Sequence, residues 1–266
     1  MRYSEGDLQF LARAIGGDSH AAAAHLRDWR AHPDRVEPYL DDERVMHQML
    51  ADDRNVLGVS PRFLFTVLLR RIRRDLASIP YTVERVEPEG RLVVFDAAVV
   101  HELLRSDEVF HYLVELLVSF ERIDTLTIRG PRRSGARRLN TLNLDDMVEL
   151  AGLVDAPLRP MVFRRVGDIA LFVTGIFHDA MHRGGRPSPS PFARTLVGRW
   201  RQLEDFEAEG RRFYRLAADQ LRDVQPGLAR VLDRLAGDFT IARKPLAVLA
   251  ERYVTWAQPH WAQHPS

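Results

Sequence analysis

Glu108, His111 and Glu115 follow one another at intervals of three and four residues, the spacing at which one helix face presents carboxylates and an imidazole together. Helical di-metal proteins hold their ions with Glu-x-x-His pairs projecting inward from facing helices. His178, Asp179 and His182 offer imidazole and carboxylate within about one turn of a second segment. A metal ion held by Glu108, His111, Glu115, His178, Asp179 and His182 is therefore one reading, and it would make the protein a metal-dependent helical-bundle enzyme. No other cofactor is expected. Projecting residues 107–123 at 3.6 residues per turn weighs against it. Glu108, His111, Glu115, Ser119 and Arg122 fall on one narrow stripe, opposite Val109, Phe110, Leu113, Val114, Leu116, Leu117 and Phe120. A stripe containing Ser119 and Arg122 is expected to face water. His178 and His182 close a helix before Gly184-Gly185, where a protonated imidazole complements the helix dipole without any metal.

Arginine supplies the second candidate chemistry. Arg132, Arg133, Arg137 and Arg138 lie in a Gly/Pro/Ser stretch running from Arg129 to Arg138, and guanidinium groups on such a loop can converge on phosphates. Arg70, Arg71, Arg73 and Arg74 crowd the end of a predicted helix. Composition weakens both readings. Of the 38 basic residues only Lys244 is a lysine, which leaves 37 arginines and a high background for chance clustering. The formal net charge is +1, so there is no global attraction to nucleic acid or anionic lipid. Solvated surface is the preferred account, and nucleic-acid binding is disfavoured.

Asp168 lies within Val166-Gly-Asp-Ile-Ala-Leu-Phe-Val-Thr-Gly-Ile-Phe177, where nearly every neighbour is apolar. A buried carboxylate requires a partner, and Arg164 and Arg165 precede it by four and three residues. A buried ion pair of Asp168 with Arg164 and Arg165 is expected. Gly167, Ala170 and Gly175 would let another backbone approach the same helix closely.

Other chemistry is excluded by residue type. With no cysteine there is no disulfide, thiolate nucleophile or thiolate-held cluster. Lys244 stands beside Pro245, outside any Gly-rich loop, and there is no Gly-x-Ser-x-Gly elbow or phosphate-binding Gly-x-x-x-x-Gly-Lys. Whether the chain is an enzyme stays open, because carboxylates paired across a cleft leave no fixed spacing.

The elements that must position these residues are mostly helices. Ser4 with Asp7 opens the first, and Gly16-Gly17 closes it. Asp18-Ser19 starts a second, to about His32. A third is predicted over Tyr39–Leu50, and Ser60-Pro61 starts one running to Leu76. Residues 81–95 read as two short strands, Tyr81–Val86 and Leu92–Phe95, around a turn at Pro88–Gly90. Further helices are predicted over 107–123, from Asn143 to about Val154, over 160–182 and from about Phe192 to Leu221, with two more ending near Trp256. Leu126–Ile128 is a brief extended piece. The fold class is mainly α, a multi-helix bundle-like domain with one short β-hairpin. Residues 1–183 form its main body, 184–191 a Gly/Pro/Ser linker, 192–258 a three-helix segment packing on the rest, and 259–266 a tail.

The segment Gly167–Phe177, with Gly210-Arg-Arg-Phe-Tyr-Arg-Leu-Ala-Ala218 downstream, resembles a pattern in uncharacterised bacterial helical proteins. The likeness covers about a third of the chain and rests on packing residues, so it implies no activity and transfers no site. The N-terminus lacks the pattern of a signal peptide. The longest strongly apolar stretch, Ile169–Phe177, falls far short of the roughly 20 residues of a membrane span. A cytoplasmic protein without membrane contact is expected. The preferred function is a binding, regulatory or scaffolding module that self-associates as a homodimer, or holds a protein partner, through an apolar helix face such as Phe63–Leu69 or Ile169–Phe177.

Overall fold

The protein, seen as a computed structural model, is described over residues 3–86, 90–120, 125–128, 137–178 and 202–254. It is mainly α-helical with short antiparallel strands, and its contacts divide the chain into two compact units, Met1–Asp75 and Leu76–Ser266.

In the first unit local signals set each helix boundary. The Ser4 hydroxyl accepts from the Asp7 amide while the Asp7 carboxylate accepts from the Ser4 amide, which starts α1 (Glu5–Gly16). Gly17, at φ 72°, ends it in a conformation that side chains disfavour. Asp18 caps α2 (Ser19–Ala31). The helix predicted over Tyr39–Leu50 is divided: a 3-10 segment covers Pro33–Asp41, and α3 (Glu43–Ala51) starts afresh. Asp42 takes an extended backbone conformation and accepts from the Arg44 amide as a new cap. The short α4 (Asp53–Leu57) leads to α5 (Pro61–Ser78). Trp29, Phe63, Leu8, Leu11, Leu40 and Met49 fill the core.

Asp7 does more than cap α1. It is fully buried, and it also accepts from the Ser60 amide at 2.6 Å and the Ser60 hydroxyl at 2.7 Å, joining the starts of α1 and α5. Replacing Asp7 with Ala leaves these donors unmet and is expected to lower the stability of this unit by about 2–4 kcal/mol, since hydrogen bonds to a charged group are among the stronger ones. A chemical-denaturation curve followed by the fluorescence of buried Trp29 measures it.

The second unit is built on α9 (Arg159–Ile176), preceded by the hairpin β1 (Thr82–Val86) and β2 (Gly90–Val94), α6 (Ala97–Arg105), α7 (Asp107–Ser119), the pair β3 (Thr125–Ile128) and β4 (Arg137–Asn140), and α8 (Leu144–Leu153). Ser106 and Asn143 cap α7 and α8. The final helices are α10 (Leu203–Leu221), α11 (Pro226–Gly237) and α12 (Phe239–Leu249). α10 and α12 both lie against α9, so the C-terminal helices share its unit. The division of the chain falls at Asp75 within α5, a continuous helix whose composition does not change there. The linker predicted over 184–191 and the tail over 259–266 lie outside the described residues.

α7 ends at Ser119 and α9 at Ile176, short of the predicted 123 and 182. β4 brings a second ladder, pairing Leu126 with Leu139 where the sequence suggested a loop through Arg138. No helix among the described residues is long and apolar enough to cross a membrane.

Candidate functional site

α9 is buried on nearly all sides from Val166 to Gly175, and that requires small residues where neighbours cross. A Cβ on Gly167 would land inside the Tyr214 ring, and one on Gly175 would sit 2.5 Å from the Leu246 side chain. α10 reciprocates: a Cβ on Gly210 would overlap the Phe239 ring and stand 3.0 Å from Ala170. The close approach expected at Gly167, Ala170 and Gly175 is thus used by aromatic and aliphatic side chains. It seats the Tyr214 ring directly over the backbone that carries Asp168.

Asp168 is 4% exposed. Its Oδ1 accepts the Tyr112 hydroxyl at 2.5 Å and the Tyr214 hydroxyl at 2.9 Å, while Arg164 Nε stands 3.7 Å from Oδ2. Burial raises the Asp168 carboxyl above its usual range, and Arg164 and the two hydroxyls only partly oppose it. Burial beside Asp168 also pushes both tyrosines well above the usual phenol value. Arg165 is not a direct partner. Its Nε donates to the Thr141 carbonyl at 2.9 Å, its Nη1 to Ser119 Oγ at 2.8 Å, and its guanidinium lies over the Phe120 ring. The expected pair with two arginines is therefore an aspartate–tyrosine–tyrosine cluster with one arginine. Both arginines flank Asp168 on the helix, but the Thr141 carbonyl, the Ser119 hydroxyl and the Phe120 ring hold Arg165 away from it. The tyrosines come from α7 and α10, which no local spacing in the sequence connects.

α12 places two further cations in the interior. Arg243, 4% exposed, donates through Nε to Glu207 Oε1 at 2.7 Å, and its Nη1 stands 3.2 Å from His178 Nδ1. Glu207 Oε2 accepts from Thr240, whose hydroxyl accepts from Arg211, and Arg211 also donates to the carbonyls of Ala236 and Gly237 at the end of α11. Lys244, likewise 4% exposed, pairs with Asp96 and donates to Thr82 Oγ1 at 3.3 Å. The Thr82 hydroxyl donates to Asp96 Oδ1 at 2.6 Å, closing a three-membered ring of groups.

The hairpin above that ring turns a mostly apolar face outward, while its other face carries Thr82, Val94 and the exposed Leu92. The register pairs Val83 with Val93, and one step further along the same face the rings of Tyr81 and Phe95 meet edge to face, centroids 6.2 Å apart. All four are exposed, from 40% at Tyr81 to 79% at Phe95, and Val99 on α6 is 51% exposed. The buried residue at this end is polar Thr82. No family model, curated protein or solved structure matches the chain.

The residues proposed for metal ligation are placed apart in character. Glu108 and Glu115 are exposed, His111 is half-buried, and Glu108 lies 3.7 Å from Arg230. His178 is buried against the Arg243 guanidinium, a cation that competes with an ion for the imidazole lone pair. Asp179 and His182 lie outside the described residues, and among the described residues no group of three His, Asp or Glu side chains could hold a metal. Of the arginines proposed for phosphate, Arg132 and Arg133 also lie outside them, while Arg137 and Arg138 belong to β4. The helix-end arginines are engaged by neighbours. Arg70 bridges Glu37 and Asp41, Arg71 meets Glu43 and Asp75, and Arg74 donates to the Asp41 carbonyl.

Sequence reasoning missed Tyr112, Tyr214, Lys244 and the hairpin face. Two signals were present. Tyr81 and Val83 flank the polar Thr82 on the first strand, and Lys244 is the single lysine beside 37 arginines.

Proposed function

We propose that the protein is a binding module that self-associates through the outer face of the β1–β2 hairpin. The observation that carries this reading is the inverted hairpin: Tyr81, Val83, Val93 and Phe95 present two successive apolar cross-strand pairs to solvent. A two-stranded hairpin is marginal in water unless something covers an apolar face, and contiguous exposed apolar surface of this kind marks association sites. The helix faces suggested by the sequence are already spent inside the molecule, with Phe63 and Leu69 and Ile169 and Leu171 fully buried.

The occupant favoured is a second copy of this chain. Two copies of the same apolar face are complementary to one another under a two-fold rotation, each presenting Tyr81, Val83, Val93 and Phe95 to the other. The register makes Arg85 and Arg91 the next cross-strand pair on the same face, at the edge of the apolar patch toward the turn.

Sedimentation equilibrium is expected to show a reversible dimer. The Val93→Asp variant weakens it by about tenfold or more, the effect of placing a charge at an apolar interface centre. Its circular dichroism should be unchanged, because Val93 is 45% exposed in the monomer. A wild-type chain that stays monomeric at every concentration, or a Val93→Asp variant that dimerises as well as wild type, overturns the proposal.

A further inference from the structure

We infer that Lys244 is the positioning residue for the docking hairpin, a clamp that fixes both of its feet to α12. This deepens the reading of the hairpin as an association surface and rests on it for its functional meaning, but the clamp itself is argued from separate geometry. Thr82 is the first residue of β1, and Asp96 lies two residues beyond Val94, the last of β2 and the register partner of Thr82. The two side chains therefore stand at the open end of the hairpin, one on each leg. Lys244 Nζ donates to both, and the Thr82 hydroxyl donates to Asp96. Side chains alternate along a strand, so what holds Thr82 inward also holds Tyr81 and Val83 outward.

The choice of residue supports the same role. Every other basic residue in the chain is arginine, and arginine would bring a planar fork of donors where these acceptors converge on a single point. A lysine ammonium is a compact charge with three donors, and at 4% exposure the site is closed to solvent. The one lysine of the chain stands where that geometry suits it. The clamp also makes sense of a buried charge on a small hairpin: the ion pair contributes orientation to an element that has little apolar area of its own inside the unit.

The test is amide hydrogen exchange on the whole chain. The Lys244→Met single variant leaves Asp96 uncompensated, so the Lys244→Met/Asp96→Asn double variant, which buries no net charge, is measured beside it. In the double variant the hairpin amides at 82–86 and 90–94 are expected to exchange at least about tenfold faster, while amides of α10 and α11 keep their protection, and dimerisation weakens in parallel. Lys244→Arg is expected to fail to restore the hairpin. Unchanged hairpin exchange in the double variant, or full restoration by arginine, overturns the clamp. Loss of protection spread equally over α9–α12 also overturns it, because Lys244 would then be a general core residue. If wild type proves monomeric while hairpin exchange still depends on Lys244, the association reading fails and the clamp stands.

Discussion

Replacing Asp168 with Ala lowers the unfolding free energy of the Leu76–Ser266 unit by about 3–5 kcal/mol, the range observed when one member of a buried charged cluster is removed. The loss has two sources. The Tyr112 and Tyr214 hydroxyls, which both donate to Oδ1, are left without that acceptor, and each unmet buried donor costs about 1–3 kcal/mol. Arg164 Nε, buried and without a hydrogen-bond partner even in the wild type, loses its nearest countercharge. Urea denaturation followed by far-UV circular dichroism measures the change, and a variant within about 1 kcal/mol of wild type would mean the cluster is not tight. The same carboxyl makes a prediction about pH. Burial raises its folded pKa above the ordinary 3.8, so the folded state holds the proton more firmly than the unfolded chain. That contribution is fully present below about 3.8 and is lost as pH rises through the folded value. The stability of wild type relative to Asp168→Asn, which cannot titrate, should therefore fall as pH is raised from about 4 and then level off. A difference that grows with pH would show that the arginine and the hydroxyls outweigh desolvation.

Gly210→Val is expected to be at least as damaging. A Cβ at this position already overlaps the Phe239 ring and comes within 3.0 Å of Ala170, and valine adds two methyl groups at the same place. Phe239 is fully buried and its ring contacts Tyr214 with centroids 6.0 Å apart, so it cannot swing aside without disturbing the Asp168 cluster. Overpacking typically costs about 1–3 kcal/mol where neighbours can shift, and more where they cannot. Gly210→Ala should fall within that range and Gly210→Val above it, read as a graded drop in the denaturation midpoint. Equal midpoints for the two variants would show that α9 and α10 part easily at this crossing.

The helix starts at Ser4, Asp18, Ser60-Pro61 and Asn143 were legible because a cap and its target amide are only a few residues apart. The polar stripe on α7 was legible for a similar reason: the period of the helix turns Glu108 and Glu115 outward whatever lies beyond. The break at Asp42 was missed because it lies inside the predicted Tyr39–Leu50 span, and the cap that restarts the helix is a single short side chain. Asp168 was identified as a buried carboxylate from its neighbours, but its partners were assigned to the same helix, the only ones that sequence spacing can nominate.

Sequence by itself determined the mainly helical character, the hairpin near 81–95, the absence of cysteine chemistry and the small residues along α9. These follow from propensity, capping and periodicity, all of which act within a few residues. Tertiary structure alone decided that Asp7 holds Ser60 across 53 positions, that Tyr112 and Tyr214 meet on Asp168 from 56 and 46 positions away, and that Lys244 reaches Asp96 across 148. It also decided which side of the hairpin faces water. A strand offers two faces, and which of them is buried depends on what the rest of the chain brings to it; here that is a lysine from α12, and it takes the face that carries Thr82.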